Sequence, residues 1–260
     1  MPKMTEYSNG TPCWITLSAP DLNEAKDFYG QVFGWDFDDM GEEFGHYQIA
    51  KRHGEPVAGI GPHVSTSGDP AWMTFLSTDD LDAIAKKIPD AGGAVVTEPM
   101  DVPGQGRMVV ASDAAGAPFG LWQGTGMHGA GLANETGTFV WNENLSTDPA
   151  RARDFYQQVF GYAYEKPEGM DTSEIAEYHM AKVDGRPVGG IGSQPRMLPP
   201  GTPSFWNTYF CVDDTDQSVA TIRQQGGEIL VEPQDAPFGR FAVARDKGGA
   251  SFAVVTPPAG

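Results

Sequence analysis

The sequence is poor in cysteine, in positive charge and in long hydrophobic runs. Its two cysteines, Cys13 and Cys211, fall inside predicted strands in different halves of the chain. We therefore expect small buried apolar residues rather than a disulfide framework. Seventeen basic against 35 acidic residues give a net charge of −18, which disfavours nucleic acid and anionic lipid as partners.

No apolar run approaches the roughly 20 residues needed to cross a bilayer. The N-terminal residues MPKMTEYSNG also lack the apolar core of a signal peptide. These absences predict a cytoplasmic protein that does not contact the membrane.

An internal repeat organises the chain. Residues 27–35 read DFYGQVFGW and residues 154–162 read DFYQQVFGY, with seven identities in nine positions. Two further matches follow in the same order, GHYQIAKRHGEPVAGIG with AEYHMAKVDGRPVGGIG, and GRMVVASDAAGAPFG with GRFAVARDKGGASFA. Three collinear matches indicate two homologous domains of about 125 residues each. We place these domains at residues 8–125 and 137–257, joined by a Gly- and Ala-rich linker at residues 126–136.

Each domain contains two copies of one pattern, a strand followed by a helix and three short strands. Asp21 and Asp148 are predicted to cap the first helix of each domain, and Gly34 and Gly161 to end it. Weaker copies of the pattern follow in the second part of each domain. The chain is therefore predicted to be α+β, with four βαβββ modules.

Matching segments follow the first strand of the two domains, PDLNEAKDFYGQVFGW in one and TDPARARDFYQQVFGY in the other. Two further matching segments, SDAAGAPFGLW and RDKGGASFAVV, close the two domains. On these segments the chain resembles the vicinal oxygen chelate superfamily of glyoxalase I, extradiol dioxygenases and bleomycin-resistance proteins. It is most similar to the two-domain bacterial branch labelled "hydroxylase". The resemblance implies two tandem glyoxalase-like domains whose modules form curved mixed sheets around clefts. It also implies a monomer with pseudo-dimeric halves.

The positions where this family places its metal ligands carry other residue types here. By the resemblance, the first-strand ligand falls on Trp14 and Trp141, and the final-strand carboxylate falls near Gly120 and Ala253. In the second modules the first-strand ligand falls on one of two neighbouring residues, Trp72 or Met73, and Trp206 or Asn207. Indole, thioether and glycine cannot build a nitrogen- and oxygen-rich site. We therefore predict no metal and no cofactor.

Tryptophan recurs at the first strand of all four modules. Residues two apart in a strand share a face, so each of these indoles lies beside a hydroxyl or a carboxylate. We expect this face to be concave, and the predicted ligand-binding residues are Trp14, Thr16, Trp72, Thr74, Trp141, Glu143, Trp206 and Thr208. In the competing interpretation the tryptophans are core, and Glu143 forms a structural ion pair with Arg107 or Arg240.

Two functions of different classes fit these residues. The first is metal-independent binding of a small organic ligand, an aromatic or polycyclic metabolite, by indole walls with a few polar contacts. The alternative is an enzyme on the same fold, a glyoxalase-type isomerase or lyase, a hydroxylase or a dioxygenase, with a metal-free or non-standard site. Its candidate acid–base residues are Glu143, Tyr178 and His179. Because Glu143 replaces threonine in one module, we expect the cleft around it to be the more polar.

Overall fold

The computed structural model describes residues 3–63, 69–167 and 175–258. These residues form four α-helices and 17 strands, which confirms the α+β prediction. In the first half they are β1 Pro12–Ala19, α1 Leu22–Phe33, β2 Asp36–Asp39, β3 Gln48–Arg52, β4 Glu55–Pro62, β5 Trp72–Ser77, α2 Leu81–Asp90, β6 Ala94–Val95, β7 Met100–Val102, β8 Gly106–Ser112 and β9 Pro118–Gly124.

The second half repeats this order. Its elements are β10 Phe139–Ser146, α3 Pro149–Phe160, β11 Ala163–Glu165, β12 Tyr178–Val183, β13 Arg186–Ser193, β14 Phe205–Cys211, α4 Thr215–Gln224, β15 Glu228–Ala236, β16 Gly239–Arg245 and β17 Ser251–Thr256. One difference is that β15 is continuous where the first half has two short strands, β6 and β7.

The helix ends follow from their capping residues. The Asp21 side chain accepts hydrogen bonds from two backbone N–H groups at the start of α1, and Asp148 accepts one at the start of α3. Gly34 and Gly161 end these helices in the left-handed conformation, with φ of 66° and 74°. The predicted caps are therefore confirmed.

Each half forms one mixed sheet. The strand orders are β2-β3-β4-β1-β5-β9-β8-β6 and β11-β12-β13-β10-β14-β17-β16-β15, with β7 paired to β8. The two modules of a half meet where β1 pairs antiparallel with β5, and where β10 pairs antiparallel with β14. The first strands of all four modules thus lie at the centres of the two sheets.

The first helix of each half is anchored to the other half. In α1 the Tyr29 hydroxyl donates to Asp246 at 2.7 Å, and in α3 the Tyr156 hydroxyl donates to Asp113 at 3.1 Å. Both aspartates belong to the closing segments, where they also accept backbone N–H groups of their own turn. Phe33 of α1 stacks on Phe210 of the second sheet, with ring centroids 4.5 Å apart.

Both cysteines are buried and free, as expected from their positions in strands β1 and β14. Within the described ranges, no helix is long and apolar enough to span a membrane.

Candidate functional site

The strand pairing in the first half brings together one set of side chains, which we call the first-half face. Trp14 of β1 lies opposite Phe75 of β5, and Thr16 lies opposite Met73. Directly opposed residues of an antiparallel pair point to the same side of the sheet. The predicted shared face of Trp14 and Thr16 is therefore present, and it also carries a thioether and a phenyl ring.

The second-half face occupies the matching positions of the other sheet. Trp141 of β10 lies opposite Tyr209 of β14, and Glu143 lies opposite Asn207. Compared with the first half, a carboxylate replaces a hydroxyl, an amide replaces a thioether, and a phenol replaces a phenyl ring. All three changes add hydrogen-bonding groups to the same small area.

Glu143 is the centre of a hydrogen-bonded cluster on the second-half face. Its side chain is 5% exposed, and its Oε1 accepts the Tyr209 hydroxyl at 2.8 Å and the Asn207 amide at 3.5 Å. The Tyr178 hydroxyl also hydrogen-bonds Glu143, and its oxygen accepts the Trp141 indole N–H at 2.8 Å. The carboxylate is thus held by neutral donors.

Burial raises the pKa of Glu143, and the hydrogen bonds from Tyr209, Tyr178 and Asn207 partly oppose this shift because they stabilise the ionised form. Burial, followed by the nearby Glu143 charge, holds the pKa of Tyr178 and of Tyr209 well above the usual range. Both phenols therefore remain protonated donors at neutral pH. Glu143 is the group of this cluster that exchanges a proton at lower pH.

A glycine lets Tyr178 reach the carboxylate. Gly190 of β13 lies beside Glu143 in the parallel register, and a Cβ atom at Gly190 would collide with the Tyr178 hydroxyl. The phenol therefore lies directly over the Gly190 backbone. Only a residue without a side chain permits so close an approach.

The first half repeats this arrangement with a different centre. Tyr47 lies over Gly59, the neighbour of Thr16, and a Cβ atom at Gly59 would collide with the Tyr47 hydroxyl. The Tyr47 hydroxyl accepts the Trp14 indole N–H at 3.1 Å and hydrogen-bonds the Thr16 hydroxyl at 2.8 Å. Here the indole, phenol and hydroxyl satisfy one another and leave no charge on the face.

Trp122 fills the first-half face beside Phe75. It follows Gly120, the residue opposite Phe75, by two positions and therefore points to the same side of the sheet. The indole is 5% exposed and donates to the backbone carbonyl of Met127 at 2.7 Å. The matching residue of the second half is Val255, which occupies far less volume.

Aromatic side chains instead line the outer part of the second-half face. Phe241 lies next to Tyr209, with ring centroids 6.4 Å apart, and next to Phe238, at 5.3 Å. Phe238 is 52% exposed. We call Phe238, Phe241 and Tyr209 the aromatic rim. The second-half face thus combines a polar centre with an apolar edge that is open to solvent.

The prediction that Trp72 and Trp206 lie on the ligand-binding face with Trp14 and Trp141 is wrong. Trp72 lies opposite Leu17, on the side of the sheet that faces α1, and its indole donates to the Tyr29 hydroxyl at 3.0 Å. Trp206 donates in the same way to the Tyr156 hydroxyl at 2.9 Å. Both indoles belong to the contact between the halves, as the core interpretation held for them.

Thr74 and Thr208 also lie between the halves rather than on the two faces. Their hydroxyls both donate to Asn142 Oδ1 at 3.0 Å. One amide oxygen therefore joins β5 and β14, which come from different sheets. Trp72 shares a face with Thr74 in β5, and Trp206 with Thr208 in β14, as predicted. This face points toward the other half of the protein.

His179 is not part of the Glu143 cluster. It follows Tyr178 directly in β12, so the two side chains point to opposite sides of the sheet. Its ring lies 6.4 Å from that of Tyr164 on the side of α3. Of the three acid–base candidates, the structure brings together Glu143 and Tyr178 only.

The alternative of a Glu143–arginine ion pair is wrong. Arg107 donates to Asp82 at 2.9 Å, and Arg240 donates to Asp216 at 2.9 Å, each at the start of the second helix of its own half. These pairs are exposed. The buried carboxylate of Glu143 is satisfied by phenols and an amide instead.

The side chains on the two faces do not fit a catalytic metal. The second-half face offers one carboxylate, and the first-half face offers a hydroxyl, a thioether and rings. Within the ranges that the structure describes, no group of three or more His, Cys, Asp or Glu residues could hold a metal ion. A catalytic metal needs several imidazole or carboxylate ligands, and neither face supplies them.

Tyr209 and Asn207 complete the site. The sequence did not point to Tyr209, and Asn207 entered only as one of two alternatives for the position of the family's first-strand ligand. A signal for them exists in the internal repeat. Where Glu143 replaces Thr16, the opposite strand also changes from methionine and phenylalanine to asparagine and tyrosine. Coordinated replacement of apolar by hydrogen-bonding residues at paired positions indicates one polar cluster.

The chain belongs to the glyoxalase/bleomycin resistance protein/dioxygenase superfamily, whose family model matches residues 13–121 and 145–254. Two relatives are similar over nearly the whole chain. One is "Putative glyoxylase CFP32" of Mycobacterium tuberculosis, with 40% identity covering 99% of this chain and 98% of the relative. The other is the anthracycline biosynthesis protein DnrV of Streptomyces peucetius, with 34% identity covering 97% and 95%.

Solved structures share the fold at low identity. The Mn(II)-bound glyoxalase from Novosphingobium aromaticivorans superposes with a TM-score of 0.66 at 16% identity, covering 95% of this chain and 83% of that one. The 2,2',3-trihydroxybiphenyl 1,2-dioxygenase from Sphingomonas wittichii gives 0.65 at 13%, covering 96% and 91%. These likenesses define the architecture, since one fold hosts many functions.

Proposed function

We propose that this protein binds a planar aromatic or polycyclic organic molecule without a metal, on the second-half face. The observation that carries the proposal is the cluster around Glu143. A buried carboxylate, two phenols and an amide adjoin the half-buried indole of Trp141 and the aromatic rim, of which Phe238 is exposed. Apolar walls with a few convergent polar groups are typical of small-molecule sites.

The internal repeat supports the choice of face. The first-half face has no charged group, and Trp122 occupies the space beside Phe75. A carboxylate that serves only stability has no reason to appear at one of two matched positions, because its burial costs free energy. We therefore assign the site to Trp141 and Glu143, and no part of it to Trp14 and Thr16.

The name of one relative agrees with a flat polycyclic ligand. DnrV is an anthracycline biosynthesis protein, and its similarity extends over both halves of this chain. Because DnrV shares the whole two-domain arrangement, polycyclic compounds are the first ligands to test.

Intrinsic fluorescence tests the proposal. The purified protein is titrated with a panel of planar polycyclic compounds, including hydroxylated anthraquinones, and binding quenches the emission. We expect Trp141→Phe to weaken binding several-fold, since a stacked ring contributes about 1 kcal/mol beyond its buried area.

Trp206→Phe is the matched control, because it changes the same residue type on the opposite side of the sheet. It should lower the melting temperature and leave affinity unchanged. If no compound binds, or if both variants affect affinity equally, the second-half face is not the binding site.

A second candidate is a metal-free enzyme, and the raised pKa of Glu143 favours it. A carboxyl group with a raised pKa can take a proton from a bound molecule. Once Glu143 is protonated, the hydroxyls of Tyr178 and Tyr209 no longer need to donate to it and can donate to the ligand oxygen that becomes negative. Exchange of a carbon-bound proton of a ligand for deuterium, followed by NMR, measures this step. Glu143→Gln should abolish the exchange at saturating ligand, whereas a protein that only binds shows no exchange in either form.

A further inference from the structure

We infer that the ligand of the second-half face carries a protonated amine, and that Glu143 is the counter-ion of this amine. The inference rests on the proposed function and specifies the chemical class of its ligand. The amine end of the ligand would lie over the carboxylate, and the ring system would contact the aromatic rim.

No positively charged side chain is among the partners of Glu143 within the residues that the structure describes. These partners are Tyr209, Tyr178 and Asn207, all of them neutral. A buried carboxylate without a counter-ion is costly, although hydrogen bonds reduce the cost. A ligand cation would complete the cluster by supplying the missing charge.

The rings around the carboxylate favour the same kind of group. Trp141 and Tyr178 adjoin Glu143 on one side, joined by the indole-to-phenol hydrogen bond, and Tyr209 adjoins it on the other. Aromatic faces attract ammonium groups and do not attract anions. A carboxylate among three aromatic side chains therefore selects an amine over a neutral or an anionic substituent.

The aromatic rim fixes the other end of the ligand. Phe238 and Phe241 extend outward from Tyr209, and Phe238 is half exposed to solvent. An amine attached to a fused ring system would place its nitrogen at Glu143 and its ring against these phenyl groups. The overall charge of −18 also favours the approach of a cationic ligand.

A pair of fluorescent probes with one ring system tests the inference. 9-(Aminomethyl)anthracene is positively charged at neutral pH, whereas 9-(hydroxymethyl)anthracene has the same rings and no charge. We expect the amine to bind about tenfold more tightly than the alcohol, as charge-assisted hydrogen bonds are stronger than neutral ones. Glu143→Gln should remove this preference, with little change for the alcohol.

Thr16→Val is the matched control in the first half, because Thr16 holds the position that corresponds to Glu143. It should leave the preference for the amine unchanged. The preference should also fall as the pH is lowered through the raised pKa of Glu143, because the protonated carboxyl no longer attracts the amine. Tyr178 and Tyr209, the titratable groups that face Glu143, stay neutral over this range because their pKa values are raised.

The outcomes separate the two proposals. Equal binding of both probes, or a preference that survives Glu143→Gln, overturns the inference and leaves aromatic binding standing. Binding of neither probe, together with no response to the polycyclic panel, overturns the proposed function as well. Circular dichroism and thermal melting of each variant confirm that the fold is intact before affinities are compared.

Discussion

The two halves of this protein keep the same scaffold and differ in what they place on it. In both, an indole donates to a tyrosine that lies over a glycine, at Trp14 and Tyr47 in one half and Trp141 and Tyr178 in the other. Only the second half adds a carboxylate. The repeated geometry stabilises both halves, and the proposed function gives the additional groups of the second half their role.

The two faces also differ in the volume of one side chain. The Trp122 indole closes the first-half face, whereas Val255 stands at the corresponding position in the second half. The first-half face is therefore filled by an indole, whereas in the second half Trp141 is half-buried and Phe238 is 52% exposed. Exchanging or removing the features that distinguish the halves should therefore change stability and binding.

The largest effect is expected from Trp122→Val, which gives the first half the residue of the second. Loss of a buried indole leaves a cavity, so the free energy of unfolding should fall by about 3 kcal/mol in chemical denaturation. The opened face should also bind small aromatic molecules that the wild-type first half excludes. A loss below about 0.5 kcal/mol would show that this indole does not fill the face.

The reciprocal change, Val255→Trp, should close the second-half face. We expect binding of the anthracene probes to be lost, with a smaller decrease in stability because overpacking costs about 1–3 kcal/mol. Unchanged binding in this variant would place the ligand elsewhere.

A medium effect is expected at the contacts between the halves, and it should be unequal. Tyr29→Phe removes the side-chain donor to Asp246, and we expect a loss of about 2 kcal/mol. Tyr156→Phe should cost about 1 kcal/mol, because Asp113 still accepts the Asn144 amide at 2.8 Å. Equal losses, measured by urea denaturation at one pH, would contradict this account of Asn144.

The smallest effect is a gain in stability from Glu143→Gln. The folded-state pKa of Glu143 is raised by burial, so the native protein holds this proton more tightly than the unfolded chain. The corresponding stability is present below the unfolded pKa and is lost as the pH rises through the folded pKa. The variant should therefore melt at a higher temperature than wild type at neutral pH, and this advantage should disappear in acid.

Thr16→Val provides the comparison for that experiment, because it introduces no change in charge. Its melting temperature relative to wild type should not vary with pH. A Glu143→Gln variant that is less stable than wild type at neutral pH would mean that the hydrogen bonds outweigh the cost of burial.

Much of the fold was predictable because the repeat and the caps are local signals. Asp21, Asp148 and the glycines that follow the helices determine where α1 and α3 begin and end, and the internal matches define the order of the modules. The face of a strand is harder to predict. Trp72 was assigned to the wrong side of the sheet. The side on which it lies depends on the antiparallel register of β5 with β1, which is a long-range contact.

The centre of the site was partly predictable because Glu143 carries a local signal. Glu143 stands out within its own strand because it departs from the repeat, whereas Tyr178 matches Tyr47 of the first half. Tyr209 reaches Glu143 across a strand pair separated by 66 residues, so its role depends on the register. His179 is adjacent in sequence to Tyr178 but lies outside the Glu143 cluster, because the two side chains point to opposite sides of the sheet.

The anchor between Tyr29 and Asp246 has a consequence for synthesis on the ribosome. These residues are 217 positions apart, whereas Tyr156 and Asp113 are only 43 apart. The aromatic surface of α1, including Phe28, which packs on Phe252, must wait until the last strand has left the ribosome. A nascent chain that stops before β17 therefore exposes an apolar helix, and such exposed surfaces bind chaperones or aggregate.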